Sequence, residues 1–392
     1  MNNDLSSYFE DPEFKEALEK YEGMVKNHTP AYFDADELTD IAEYYASKGR
    51  QIEAEAAIDF ALQLHPNDTD ALIFRARSLA MKGRLDEAYM VMDLIEDRSD
   101  REVRFLKADL LMEEKRMEEA DHVFEELAAY EEGKLETLID IILAYIDANQ
   151  EALAKKWIKH VGETYDLASL SQKNQKFRDL LCDFYITFNN PEAAIPLLQA
   201  TLDCYPYSIN HWNSLGKCYL STNDYEEAHE AIDFALAIDD SNAEALTLKA
   251  FCYQQSGELQ KSCDYYLRLA EQQENKTRAY LALAKTYFEM QDYTSSIYYI
   301  EALLDNKDAL SKYELSELYG DIALCHAALK HIGVGQASIR RSLELNENDP
   351  DTLIVAGRFF LMEAKACNDE TAKAENQAKG ELYFRQALNL IM

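Results

Sequence analysis

The feature that most constrains this chain is a column of small residues at a fixed step. At a spacing of about 34 residues, Ala54, Ala88, Ala120, Ala154, Ala194, Ala228, Ser262, Ser296, Gly335 and Gly380 fall into one register. A small residue returning at one place in a repeating unit is what two helices need where their backbones pass closest. Leucine at such a place overpacks, at a cost of about 1–3 kcal/mol. Around the column, apolar positions recur at 3- and 4-residue steps on both sides of a polar turn, the period of two amphipathic helices packed antiparallel. Ile209–Asn242 shows this best: Trp212, Leu215, Gly216 and Tyr219 precede the turn Asn223-Asp224-Tyr225, and Ala228, Ile232 and Ala235 follow it. The spacing predicts an all-α array of helix pairs.

Two further columns support the register. An aromatic column of the first helix reads Tyr45, Leu79, Leu111, Tyr145, Tyr185, Tyr219, Tyr253, Tyr287, His326 and Phe360. A large-bodied column of the second helix reads Ile58, Met92, Phe124, Ile158, Leu198, Ile232, Tyr266, Ile300, Ile339 and Phe384. Between the helices stand Gly49, Gly83, Asn149, Asn189, Asn223 and Gly257, residues that accept the left-handed conformation after a helix end.

On this register residues 1–34 are a capping region, a lone second helix begun by Asp11-Pro12 (an N-cap followed by proline at the first helical position) and stopped at Thr29-Pro30. About ten repeats follow: 35–68, 69–100, 101–134, 135–168, 175–208, 209–242, 243–276, 277–310, 316–349 and 350–392. The period breaks at residues 169–174 and 311–315, which read as extra helical turns capped by Ser171 and Ser311. It breaks again at residues 363–373, either an extension of both last helices or a mobile excursion. Pro196, inside a second helix, removes one backbone bond and predicts a kink.

Length alone, 392 residues, suggests two or three domains, but repeats that pack only on their neighbours make an array instead. The net charge of −34 argues against nucleic acid and anionic membrane as partners and favours basic ones. Residues 1–5 lack a basic and an apolar leader region, and no apolar run approaches the roughly 18 residues that span a bilayer. Seven cysteines form no CxxC pair, and Cys218, Cys252 and Cys325 share one column as small buried residues. These features predict a reduced, cytoplasmic protein. The eight histidines show no HxxxH or HExxH spacing, so no zinc site is expected. Cys325 and His326 are helix neighbours pointing about 100° apart, and no phosphate loop or serine elbow occurs. Neither catalysis nor a cofactor is predicted.

The columns resemble those of the tetratricopeptide repeat family over residues 35–392, with Trp212, Leu215, Gly216, Tyr219, Ala228, Ile232 and Ala235 at the signature spacing and Asp240 where that family usually has proline. Arg104 and Arg178 depart from a usually apolar column, and His326 from an aromatic one. The resemblance implies a right-handed superhelical solenoid whose first helices line a concave groove for peptides or protein segments. It names no partner and no oligomeric state.

In each first helix, columns 2, 5, 9 and 12 form the stripe opposite the packed face. In the third and fourth repeats it carries Phe105, Asp109, Met112, Ile139, Leu143 and Ile146, expected as exposed aliphatics with an acid among them. The fifth repeat adds Asp179 and Asp183. Thereafter the stripe becomes Asn213, Lys217, Phe251, Arg278, Lys285, Phe288 and Arg358. The expectation is a two-zone groove, apolar and acidic first, then basic and aromatic, suited to a partner protein segment. Asn213 and Lys217 also occupy, in swapped order, two columns of the carboxylate clamp of tetratricopeptide co-chaperones, but Leu248 and Ala282 leave that clamp incomplete. The function predicted is a protein-interaction scaffold. The alternatives are a co-chaperone or client-holding chaperone reading a C-terminal carboxylate or acidic segment and, less favoured, an enzyme or a peptide-sensing regulator.

Overall fold

The computed structural model describes residues 9, 11–28, 30–305 and 310–391. Residues 1–5 and Thr29, read above for a leader and a helix stop, lie outside them. The described residues form 22 helices and no strand, and the chain divides into two compact units, residues 1–180 and 181–392.

The first unit opens with α1 (Pro12–Asn27). Asp11 accepts from the Glu13 amide to start it, and its Phe14 and Tyr21 are buried with Phe33 and Tyr45. Four helix pairs follow: α2 (Ala35–Ser47) with α3 (Gln51–Leu64), α4 (Thr69–Met81) with α5 (Leu85–Met92), α6 (Arg101–Glu113) with α7 (Met117–Tyr130), and α8 (Leu135–Asp147) with α9 (Glu151–Thr164). After the short α10 (Leu167–Lys173) comes α11 (Gln175–Thr187), which contains the division between the units.

The second unit continues with α12 (Pro191–Cys204), then α13 (Ile209–Thr222) with α14 (Tyr225–Ile238), α15 (Ala243–Gln255) with α16 (Leu259–Ala270), and α17 (Lys276–Glu289) with α18 (Tyr293–Leu304). It ends with α19 (Lys312–Ala328) paired to α20 (Ile332–Leu345) and α21 (Pro350–Ala366) paired to α22 (Glu370–Ile391).

Local chemistry accounts for these boundaries. Asp68, Asp100, Asn242 and Asp349 cap the first helices that follow them, and Ser311 forms a full capping box with Glu314. Gly49, Gly83, Asn149, Asn189, Asn223 and Gly257 all take positive φ at the turns. Lys115, Gln291 and Lys330 take the same conformation without the residue type that signals it. The small column sits where helices touch. A Cβ added to Gly380 would lie 3.0 Å from the Gly357 carbonyl of its partner helix, and the Ser296 hydroxyl donates to the Ala284 carbonyl across its pair at 2.9 Å.

One reading changes, and one of two alternatives is selected. Residues 169–174 are not an added turn of α11, because α10 is a separate helix ending at Lys173. Ser171 lies inside α10 and donates to the Ala168 carbonyl, while Asn174 accepts from the Phe177 amide and caps α11. The polar residues 363–373 mostly extend both helices of the last pair, leaving only residues 367–369 outside. Pro196 lies inside α12, the second helix where the sequence places it. The departures from the column pattern also have local causes. Buried Arg178, 4% exposed, donates to the Ser171 and Gln172 carbonyls of α10, and Arg104 stacks on Tyr130. Cys218, Cys252 and Cys325 are buried, and burial raises each thiol to about 11, so they stay protonated core residues.

Candidate partner-binding cleft

Burial along the first helices is uneven. Phe105 and Met112 of α6 and Ile139 and Ile146 of α8 are buried, because adjacent helices close over columns 5 and 12. They are not the exposed aliphatics the stripe predicts. Column 9 stays open to solvent through Glu43, Arg77, Lys217, Phe251, Lys285 and Arg358, with Asp109 and Leu143 half-buried. The accessible face is therefore narrower and more charged than the sequence suggests.

In the first unit this face deepens into a cleft of about 460 Å³ between α4, α6 and α8. It brings together Phe105, Asp109, Met112 and Leu143 from the predicted set; Ile139 and Ile146 do not line it. Sequence reading missed Arg77, Met81, Arg101 and Asp140, which also line it. Arg77 could have been found, since it stands in the column of Asp109 one repeat earlier. Met81, Arg101 and Asp140 lie off the stripe.

The electrostatics are organised across repeats. Arg77 of α4 reaches Glu102 at 3.5 Å and Asp109 at 3.6 Å, both on α6. Arg101 lies over the Phe105 ring, 5.2 Å from its centroid, and binds Asp140 on α8. Glu102, Asp109, Glu113, Asp140 and Asp147 thus face only Arg77 and Arg101 among the lining residues. Burial pushes the Asp109 carboxyl up to about 6 despite the Arg77 guanidinium, with Glu102 and Glu113 adding to the rise. The same cause raises Glu43 and Asp70. The floor is apolar: Phe105 packs on Phe124 at 5.3 Å, and Met81 stands 82% exposed at the mouth.

The second unit treats its predicted residues differently. Asn213 is only 1% exposed and donates to Asn242 and Glu244; its own Oδ1 has no partner among the described residues. Lys217 pairs with the same Glu244, so both candidate clamp residues are engaged by the neighbouring repeat. Arg278, Lys285 and Arg358 are exposed, but Asp321 lies within the fields of Lys285 and Arg358, and burial lifts its carboxyl to about 6. Phe251 is exposed, whereas Phe288 packs edge-on against Tyr293. Near the division, Asp179 is half-buried and Asp183 exposed. Among the described residues no group of three histidine, cysteine or carboxylate side chains could hold a metal ion, and no helix is long and apolar enough to cross a membrane.

Stacked antiparallel helix pairs, closed by small residues and turned through left-handed positions, define a helical-repeat protein. The chain carries tetratricopeptide repeats: that family's profile matches residues 39–89 and 213–277. A formate-dependent nitrite reductase complex subunit, NrfG, from Escherichia coli O157:H7 is 26% identical over 191 residues, 47% of this chain and 89% of the relative. A tetratricopeptide repeat protein from Parabacteroides merdae superposes at a TM-score of 0.47 with 16% identity, covering 65% of this chain and 97% of its own. PilW, a type IV pilus biogenesis factor, does so at 0.42 with 15% identity, covering 56% and 99%. The repeats are in general a protein-interaction scaffold.

Proposed function

We propose that this scaffold holds a short segment of a partner protein in the cleft between α4, α6 and α8. The observation that carries this reading is the cleft's composition: an apolar floor of Phe105, Met112 and Leu143 beneath a rim with more carboxylates than guanidiniums. Burying apolar side chains supplies the affinity, and the rim selects basic neighbours by complementarity. Because rigid helices pre-position the lining, the flexible segment bears most of the ordering cost. The relative at 26% identity is by name a subunit of a complex, which accords with an assembly role.

The test is a random-peptide display library panned against the full chain. Enriched sequences should carry basic and apolar residues. Their affinity should fall at least tenfold in Met81→Glu/Leu143→Lys, which alters the mouth and the half-buried part of the floor without touching the fully buried core. Peptides that bind this variant as well as the parent protein would remove the cleft as the docking site.

A further inference from the structure

A second cleft, of about 490 Å³, lies in the second unit between α12, α13 and α14, on the side of the second helices. Its floor is Leu202, Leu215 and Ala231, and its wall is Trp212 stacked on Phe234, with centroids 4.5 Å apart and planes 18° from parallel. The Trp212 indole is fixed by donating to the Pro206 carbonyl at 2.8 Å, and Tyr219 is held by Gln199 at 2.8 Å. Phe234 is nonetheless 55% exposed, and Tyr205 and Tyr207 in the adjoining turn are exposed as well.

The rim carries Asp203, Glu227 and Glu230, and no lysine or arginine lines the cleft. The next repeat shows the contrast. There Tyr253 has Lys249 and Lys261 over its ring, and Tyr265 has Arg268. Among the described residues the rings of Trp212 and Phe234 receive no such cation, and the three rim carboxylates have no ion pair.

The geometry points to an arginine-bearing protein segment as the occupant of this cleft, its guanidinium against Phe234 and the rim carboxylates and its apolar neighbours on Leu202 and Leu215. A planar guanidinium stacks on an aromatic face while bonding carboxylates at its edge, which an ammonium cannot do. The apolar floor matches a segment better than a free cation. This site is separate from the cleft between α4, α6 and α8 in both its residues and its helices.

The probe is a fluorescein-labelled heptapeptide alternating leucine and arginine, titrated into the full chain and followed by anisotropy, with emission of Trp212 read in a Trp157→Phe background. Saturable binding that changes Trp212 emission is expected. Phe234→Ala, at an exposed ring, and Glu227→Lys/Glu230→Lys should each weaken it at least tenfold. Glu118→Lys/Glu126→Lys, the same charge change in the first unit, should leave the titration read by Trp212 emission within twofold, as should Met81→Glu/Leu143→Lys, which removes only binding at the first cleft. Equal weakening by the control pair reduces the effect to general attraction to an acidic chain and overturns the proposal. So does a lysine-for-arginine peptide that binds equally well, or the absence of saturation.

Discussion

Repeats 101–134 and 316–349 meet the same three demands with different residues. Where the two helices touch, the first has Ala120 and the second Gly335. Each carries a half-buried acid on its first helix whose carboxyl is lifted to about 6 by burial, Asp109 and Asp321. Asp109 has Arg77 at 3.6 Å, whereas among the described residues Asp321 has no ion partner within contact. Each turns through a left-handed lysine, Lys115 and Lys330. The choice of residue follows the neighbour. Gly335 leaves room for Phe359 of the next repeat, a fully buried ring whose Cε2 would lie 2.7 Å from an added Cβ. The interface between successive repeats, more than the single repeat, decides each position.

The largest effect should come from breaking that first difference. Gly335→Ala forces the Cβ into Phe359 and within 3.4 Å of the Ala323 carbonyl, an overpacking cost of about 1–3 kcal/mol against a helix-propensity gain of about 1 kcal/mol. The reciprocal Ala120→Gly removes a fully buried methyl and should cost about 2 kcal/mol, about 1 from helix propensity and about 0.8 from the lost burial. Urea unfolding monitored by far-UV circular dichroism reads both. Gly335→Ala more stable than the parent by about 1 kcal/mol, the full propensity gain, would show the ring free to move and the contrast empty.

The paired acids give the middle effect. A carboxyl whose folded pKa lies above its unfolded value contributes stability that is complete below the unfolded pKa and lost as pH rises through the folded one. For Asp109 and Asp321 the loss runs from about 4 up to about 6. Asp321→Asn should therefore stabilise the protein at pH 7.5, by up to about 1 kcal/mol after solvent screening, and not at pH 4. Asp109→Asn should gain less, because it gives up the charge paired with Arg77. Unfolding curves at the two pH values test the sign, and equal gains for the two variants would erase the distinction between a paired and an unpaired acid.

These contrasts also mark what the sequence makes legible. The small column and the glycine and asparagine turns can be read directly, because backbone approach and positive φ restrict residue type. Asn213 and Lys217 are visible as stripe residues, yet nothing in the sequence says that Glu244 already holds both. That depends on the offset between adjacent helices, which periodicity does not encode. For the same reason Phe105 and Ile139 look exposed in a linear pattern and are buried once the next repeat closes over column 5. Leu167–Lys173 is hidden for a different cause: a seven-residue helix is too short to show a period. Trp212 is conspicuous as a packing residue, but its stack on Phe234 joins two helices through a column that the stripe omits.

The smallest effect tests the one demand both repeats meet alike. A non-glycine residue in the left-handed region bears about 1–2 kcal/mol of steric cost from its Cβ, and Lys115 and Lys330 both sit there, at φ 62° and 61°. Glycine removes that cost but loses more chain entropy on folding, so Lys115→Gly and Lys330→Gly should each gain only about 0.5 kcal/mol. Both side chains lie on the exposed surface, with no ion pair or ring contact to lose among the described residues. The gains should therefore match in the two repeats and add in the double variant, since the sites share no partner. Differential scanning calorimetry resolves the double variant from the parent. A gain in one repeat and a loss in the other would mean that the turn, too, is set by its neighbours rather than by its own backbone.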